Sequence, residues 1–152
     1  MVIRDYGRAV KVLVRALLFS AGFVLSCSAA ADAYGEAATV EELERATVAA
    51  DGRPIRYPAT DSPEVTALLI TLPSHGDPAW HHHPVPVYAY LIEGVLKVEL
   101  KSGKVNVYRA GDAWIEAVDT PHKGRTRGEK PVKLIAFYMG EQGKANTVTQ
   151  GD

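Results

Sequence analysis

Cysteine is nearly absent: Cys27 is the single one in 152 residues. No internal disulfide can form. Excess positive charge is also lacking, since 17 Lys and Arg face 18 Asp and Glu for a net charge of −1. That balance argues against a general polyanion binder. No basic run with interleaved aromatics occurs, which argues against nucleic acid as a partner. Internal repeats are missing as well. The longest apolar run near the start, Ala16 to Leu25, is too short for an ordinary membrane span. What remains is an ordinary globular composition, 47% hydrophobic and 23% charged, at a length that fits one domain.

The first thirty residues differ from the rest. Arg4, Arg8, Lys11 and Arg15 precede the apolar run, and Ser26-Cys27-Ser28-Ala29-Ala30-Ala31-Asp32-Ala33 follows it. A basic region, a short apolar region and an Ala-x-Ala-like site together read as a secretory signal peptide over 1–30. Cleavage after Ala30, Ala31 or Ala33 would leave a thiol-free chain, as suits an oxidising compartment. The expected location is periplasmic or secreted. The rival readings are an uncleaved amphipathic helix or membrane anchor, or a lipidated Cys27 that ties the protein to the cell envelope.

Residues 31–61 read as an N-terminal extension. Thr39 to Ala46 has a cap residue, early acids and Leu/Ala spacing, which predicts a short helix. Ile55-Arg56-Tyr57 predicts a short strand. From 62 to 140 the pattern is β-like. Glu64 to Leu72, Val87 to Ile92, Val95 to Leu100, Val105 to Tyr108, Asp112 to Ile115 and Pro131 to Tyr138 are aliphatic or alternating runs. Gly-containing turns separate them, and such spacing predicts a sandwich or barrel. Residues 141–152 are polar and read as a loosely held tail.

The chain is organised around Trp80-His81-His82-His83. Only five histidines are present, and three sit here. On a strand, His81 and His83 share one face and His82 takes the other. Two imidazoles so placed can hold a divalent metal, given a third ligand. His122, after the strand-like run 112–115, is the natural third; His75 lies in a loop. The expected metal set is therefore His81, His83 and His122.

These residues carry a resemblance. His81-x-His83, then Tyr90-Leu91-Ile92-Glu93-Gly94, then Gly111-Asp112 with Pro121-His122 ten residues on, resemble the two motifs of the cupin family. The resemblance covers roughly residues 62 to 140. It implies a double-stranded β-helix, or jelly roll, so the full expectation is an all-β jelly roll with a short N-terminal helix. It also departs from the family: the glutamate expected near His81 falls at Val87, which cannot bind a metal. A three-histidine variant is what the resemblance then implies. It favours oxygen-dependent cleavage, or a lyase or isomerase reaction, on a small organic molecule. The alternative is a non-enzymatic binding or storage module of the cell envelope.

Three neutral imidazoles would leave the ion its full charge and open positions. Iron, manganese, nickel, copper and zinc all suit imidazole, so the metal is not distinguished. Glu116 and Tyr88 are the weak catalytic candidates, with a solvated strand-end charge and ordinary packing as their plainer readings. Trp80 is expected at the cavity rim. Arg125 and Arg127 offer attraction to an anion. Val87 offers an apolar wall beside the metal, or simple core packing. Edge strands in small barrels are commonly covered by a second subunit, so a homodimer is expected.

Overall fold

A computed structural model of the chain describes residues 38–150. Nine strands follow one another: β1 Pro63–Leu72, β2 His81–His82, β3 Val87–Glu93, β4 Val95–Leu100, β5 Val105–Arg109, β6 Ala113–Ile115, β7 His122–Thr126, β8 Val132–Glu141 and β9 Val148–Thr149. They form two antiparallel sheets. One has four strands in the order β1-β8-β3-β6, and the other has five in the order β5-β4-β7-β2-β9. This is the all-β jelly roll that the sequence implies.

Alternation explains how each strand faces. Val87, Ala89 and Leu91 of β3 point inward and are buried, while Tyr88 and Tyr90 lie on the other face. Leu96, Val98 and Leu100 do the same in β4, and Val132, Leu134, Ala136 and Tyr138 in β8. The inward faces of both sheets meet in one core, closed by Trp114, whose ring stacks on Tyr108 at 4.1 Å between centroids. Leu91, Val87 and Val132 are the largest fully buried side chains. Each contributes about 1.5–3 kcal/mol by leaving water.

The β3–β4 turn requires glycine. Gly94 has φ of 86°, and a Cβ there would lie 2.5 Å from the Pro131 carbonyl oxygen. A side chain would be strained by the backbone and would clash as well.

Three expectations fail outside the barrel. Thr39 to Ala46 forms no helix, and the described residues contain none. Eight residues are too few to hold a helix without packing, and Leu43 is 52% exposed. The segment carries an exposed Arg45–Glu42 ion pair. Ile55 to Tyr57 makes no strand; a single bridge joins Val48 and Pro54 instead, and Pro58 limits any extension. The tail is not loose. Its residues Val148 and Thr149 pair with His82 and His81 as β9, at the edge of the five-stranded sheet. The predicted signal peptide lies outside the described residues.

Candidate metal centre

His81 and His122 are direct partners across β2 and β7. His83 follows β2 and bridges to Val118. His122 does not end the β6 strand, as expected, but opens a strand of its own in the other sheet. Its run, His-Lys-Gly-Arg-Thr, shows no apolar alternation, so the strand forms through backbone pairing with β4 and not through a buried face.

The three rings converge. Their centroids are 5.1 Å apart for His81–His83, 4.6 Å for His81–His122 and 5.1 Å for His83–His122. One ligand nitrogen from each lies within 4.8 Å of the others. Backbone carbonyls hold each ring. Nδ1–H of His81 donates to the Ala79 carbonyl at 3.0 Å, that of His122 to Thr120 at 2.8 Å, and that of His83 to Asn146 at 3.0 Å. A carbonyl only accepts, so each Nδ1 carries a proton, and a ring that is neutral then turns a lone pair at Nε2 inward. Metal-binding histidines are oriented by outer partners of this kind. Burial lowers the His81 pKa foremost, and the neighbouring imidazoles lower it further, which favours the neutral form a metal needs. His122 Nε2 is buried with no hydrogen-bond partner. Leaving such an atom unpaired costs about 1–3 kcal/mol, and an ion would satisfy it. The three histidines could hold a metal.

Glu116 corrects an expectation. Its side chain is only 14% exposed, with Oε2 3.0 Å from His83 Nε2 and 3.7 Å from His122 Nε2. It is not a solvated strand-end charge. Burial acts to raise its pKa, but the His83 contact and the surrounding imidazoles outweigh that, and the carboxyl is held below its ordinary range. Tyr88, the other weak candidate, is not brought to the site. Its hydroxyl meets that of Tyr57 at 3.1 Å, on the face of β3 opposite Val87.

The remaining candidates scatter. Val87 is fully buried in the core and does not line the cavity. His82 points away from the cluster, with its Nδ1 buried and unpartnered. His75 is exposed, 3.6 Å from Glu129. Trp80 does not line the cavity either; Lys123 and Lys101 lie over its ring at 5.2 and 5.9 Å. Arg125 pairs with Asp77 at 2.9 Å and does not face the site.

Sequence reasoning missed two participants. Tyr138, read only as part of the last strand, lines the cavity and packs edge-on to His83 at 5.3 Å. Its alternation with Ala136 was the available signal. Burial, and then the Glu116 charge, raise its pKa, so the hydroxyl keeps its proton. The Asn146–Thr147 segment holds His83 from a tail whose polar composition gave no signal. It is seated by Gly140, where a Cβ would lie 2.6 Å from Asn146 Oδ1. On the other side, Asp51 accepts from the Thr120 hydroxyl at 2.9 Å, and Arg53 donates to the Val118 carbonyl, so the extension braces the loop before His122.

Above the histidines lies a cavity of about 90 Å³, lined mainly by apolar side chains such as Ile70, Leu72, Leu96 and Leu134. No Lys or Arg is among its lining residues.

Residues 68–138 match the cupin domain family. No curated protein matches the chain. In structure it is similar to the oxalate decarboxylase of Lactobacillus farciminis in its formate complex, with TM-score 0.50 and 17% identity. That likeness covers 56% of this chain and 26% of the decarboxylase, so the chain spans about a quarter of its length. The chain is also similar to an uncharacterized conserved protein with a double-stranded beta-helix domain from Klebsiella pneumoniae. There the TM-score is 0.49 and the identity 16%, over 62% of this chain and 90% of that one. The decarboxylase likeness shows the fold alone.

Proposed function

Because the chain carries a cupin domain, we propose that it binds one divalent metal ion through His81, His83 and His122 and acts on a small organic molecule beside that ion. One observation carries the reading. Three imidazoles, each fixed through Nδ1 by a backbone carbonyl, aim Nε2 at one point under an apolar cavity. A bound ion of this kind supplies Lewis acidity, and a redox-active one supplies oxygen chemistry. The favoured reactions are oxygen-dependent cleavage or a lyase or isomerase step.

The chain's own residues restrict the substrate. The cavity is small and offers no cationic side chain, so a substrate's negative charge has only the metal to meet it. That favours a small, weakly charged and largely apolar molecule over a dianion such as oxalate. Tyr138 offers a protonated hydroxyl at the wall, suited to donate a hydrogen bond to a polar end. The apolar lining excludes water and strengthens polar contacts within.

The basic, apolar and small-residue sequence of positions 1–30 supports export to the periplasm or beyond. N-terminal sequencing of the mature protein checks it: an intact Met1 would overturn export by cleavage. The outer face of β1 supports a homodimer, since Val65 and Leu69 are 61% and 62% exposed on the edge strand of their sheet. A monomer mass in solution would overturn that.

The deciding experiment is elemental analysis of the mature protein beside the His81→Ala/His83→Ala variant, then oxygen uptake and turnover of the metal-loaded protein on a panel of small neutral compounds. About one equivalent of metal, lost in the variant, and turnover with at least one compound are expected. Metal without any turnover would leave a binding module. No metal in either sample would overturn the reading.

A further inference from the structure

The family's motif places a glutamate where this chain has Val87, and the structure shows where a carboxylate enters instead. β3 and β6 pair antiparallel with Tyr88 opposite Ile115, Ala89 opposite Trp114 and Tyr90 opposite Ala113. One step further along the same register, Val87 faces Glu116, and the Glu116 amide donates to the Val87 carbonyl at 2.9 Å. Residues directly opposite each other share a face, with Cβ atoms about 4.5–5.5 Å apart. Val87 points inward, so Glu116 points inward as well. The carboxylate has moved one strand sideways and still reaches the histidines.

Resting on the three-histidine reading above, we propose that Glu116 is a fourth protein ligand of the metal, taking the place of the glutamate absent at position 87. Ligands about 2.1 Å from an ion are separated by roughly 3.0–3.4 Å when they are neighbours in an octahedral or tetrahedral shell. Glu116 Oε2 stands 3.0 Å from His83 Nε2 and 3.7 Å from His122 Nε2. With Nδ1 of each ring donating to a carbonyl, a neutral His83 or His122 faces Glu116 with a lone pair at Nε2. At 3.0 Å a proton or a metal ion must then lie between the oxygen and the nitrogen. The buried, unpartnered His122 Nε2 beside them favours the metal, which serves all of these atoms at once.

Charge gives the same answer. Glu116 is 14% exposed and also borders a second cavity lined by Arg53 and Arg56. Its ion-pair contacts among the described residues, however, are His83 and His122, and on that side no Lys or Arg lines the cavity. A bound cation is the positive partner that fits there. The ion needs the carboxylate in turn. Three neutral imidazoles leave it a charge of 2+ in apolar surroundings, and Glu116 reduces that to 1+. A mixed nitrogen and oxygen set also shifts preference towards harder ions. Carboxylate suits manganese better than imidazole does, whereas zinc accepts imidazole readily.

The test compares the wild-type protein, Glu116→Gln and His81→Ala. Manganese and zinc affinities are measured by chelator competition, the visible spectrum is recorded with cobalt bound, and thermal unfolding of the metal-free proteins checks folding. Glu116→Gln should weaken manganese by more than about 100-fold, beyond the 10- to 100-fold loss typical of an outer-shell partner. Zinc should weaken less, and the cobalt spectrum should change. Glu116→Gln within about 100-fold of wild type for both metals, the range of an outer-shell effect, overturns the ligand role and leaves the three-histidine site standing. A wild-type protein that takes up no metal overturns both. If Glu116→Gln fails to fold, a crystal structure of the manganese-loaded wild type decides. A carboxylate oxygen about 2.0–2.2 Å from the ion supports the role, as expected of a bound carboxylate, and an ion out of contact with Glu116 overturns it.

Discussion

The five-stranded sheet brings nitrogen to the site and the four-stranded sheet brings oxygen. His81 and His122 sit in β2 and β7 of the first, and His83 follows β2 directly. Glu116 follows β6 and Tyr138 lies in β8, both of the second. The donors are also held differently. His81 and His122 each donate to a carbonyl only two residues back along the chain. Glu116 owes its place to a strand partner, Val87, and His83 to Asn146, 63 residues away. Two of the nitrogens are set by local chain geometry, while the third nitrogen and the carboxylate are set by contacts between distant segments.

Removing a nitrogen should have the largest effect. His122→Ala deletes one of three converging donors, and metal content should fall from about one equivalent towards none. Elemental analysis reads this, and retained stoichiometric metal would break the nitrogen side of the comparison.

Next comes the core that closes the sandwich. Leu91 is fully buried in β3 and does not line the cavity. Leu91→Ala should destabilise the fold by about 2–5 kcal/mol, as large-to-small core changes do. Denaturant titration measures it, while Leu43→Ala, exposed in the N-terminal extension, should stay within about 0.5 kcal/mol of wild type.

A smaller loss should follow from the tail. Ending the chain at residue 144 removes Asn146 and Thr147, the partners of His83 Nδ1, and also β9. Metal affinity should drop about 10- to 100-fold, the effect of losing an outer-shell partner, with the fold retained. Chelator competition checks this; unchanged affinity would show that His83 needs no support from the tail.

The smallest effect is alkaline and lies away from the site. Burial first, and then the contact with Tyr57, push the Tyr88 hydroxyl from its ordinary value of 10.0 up to about 12. Between these values the folded chain keeps a proton that the unfolded chain has released. The stability this gives is fully present below pH 10 and is lost as pH rises through about 12. Tyr88→Phe should therefore flatten the fall in thermal midpoint across that window without changing metal affinity.

Much of the fold was legible. The alternation of Leu96, Val98 and Leu100, and the Gly turns between strands, announce half-buried strands because facing is a property of neighbours in sequence. His81 and His83 were legible as a pair for the same reason. The short helix at Thr39 to Ala46 was misread because cap and spacing describe propensity, and propensity without a packed face does not hold so short a helix. β7 and β9 went unseen because their residues bury little apolar surface and are held by backbone pairing.

What the sequence determined by itself is the all-β character and the histidine set, since both depend on which way successive residues point. What only the tertiary structure decided is the oxygen side: that Glu116 turns inward beside Val87, that Tyr138 meets His83, and that the tail returns to hold it. Those facts depend on the register between strands far apart in the chain. Register is set by how the two sheets close on a common core, and no local run of residues carries it.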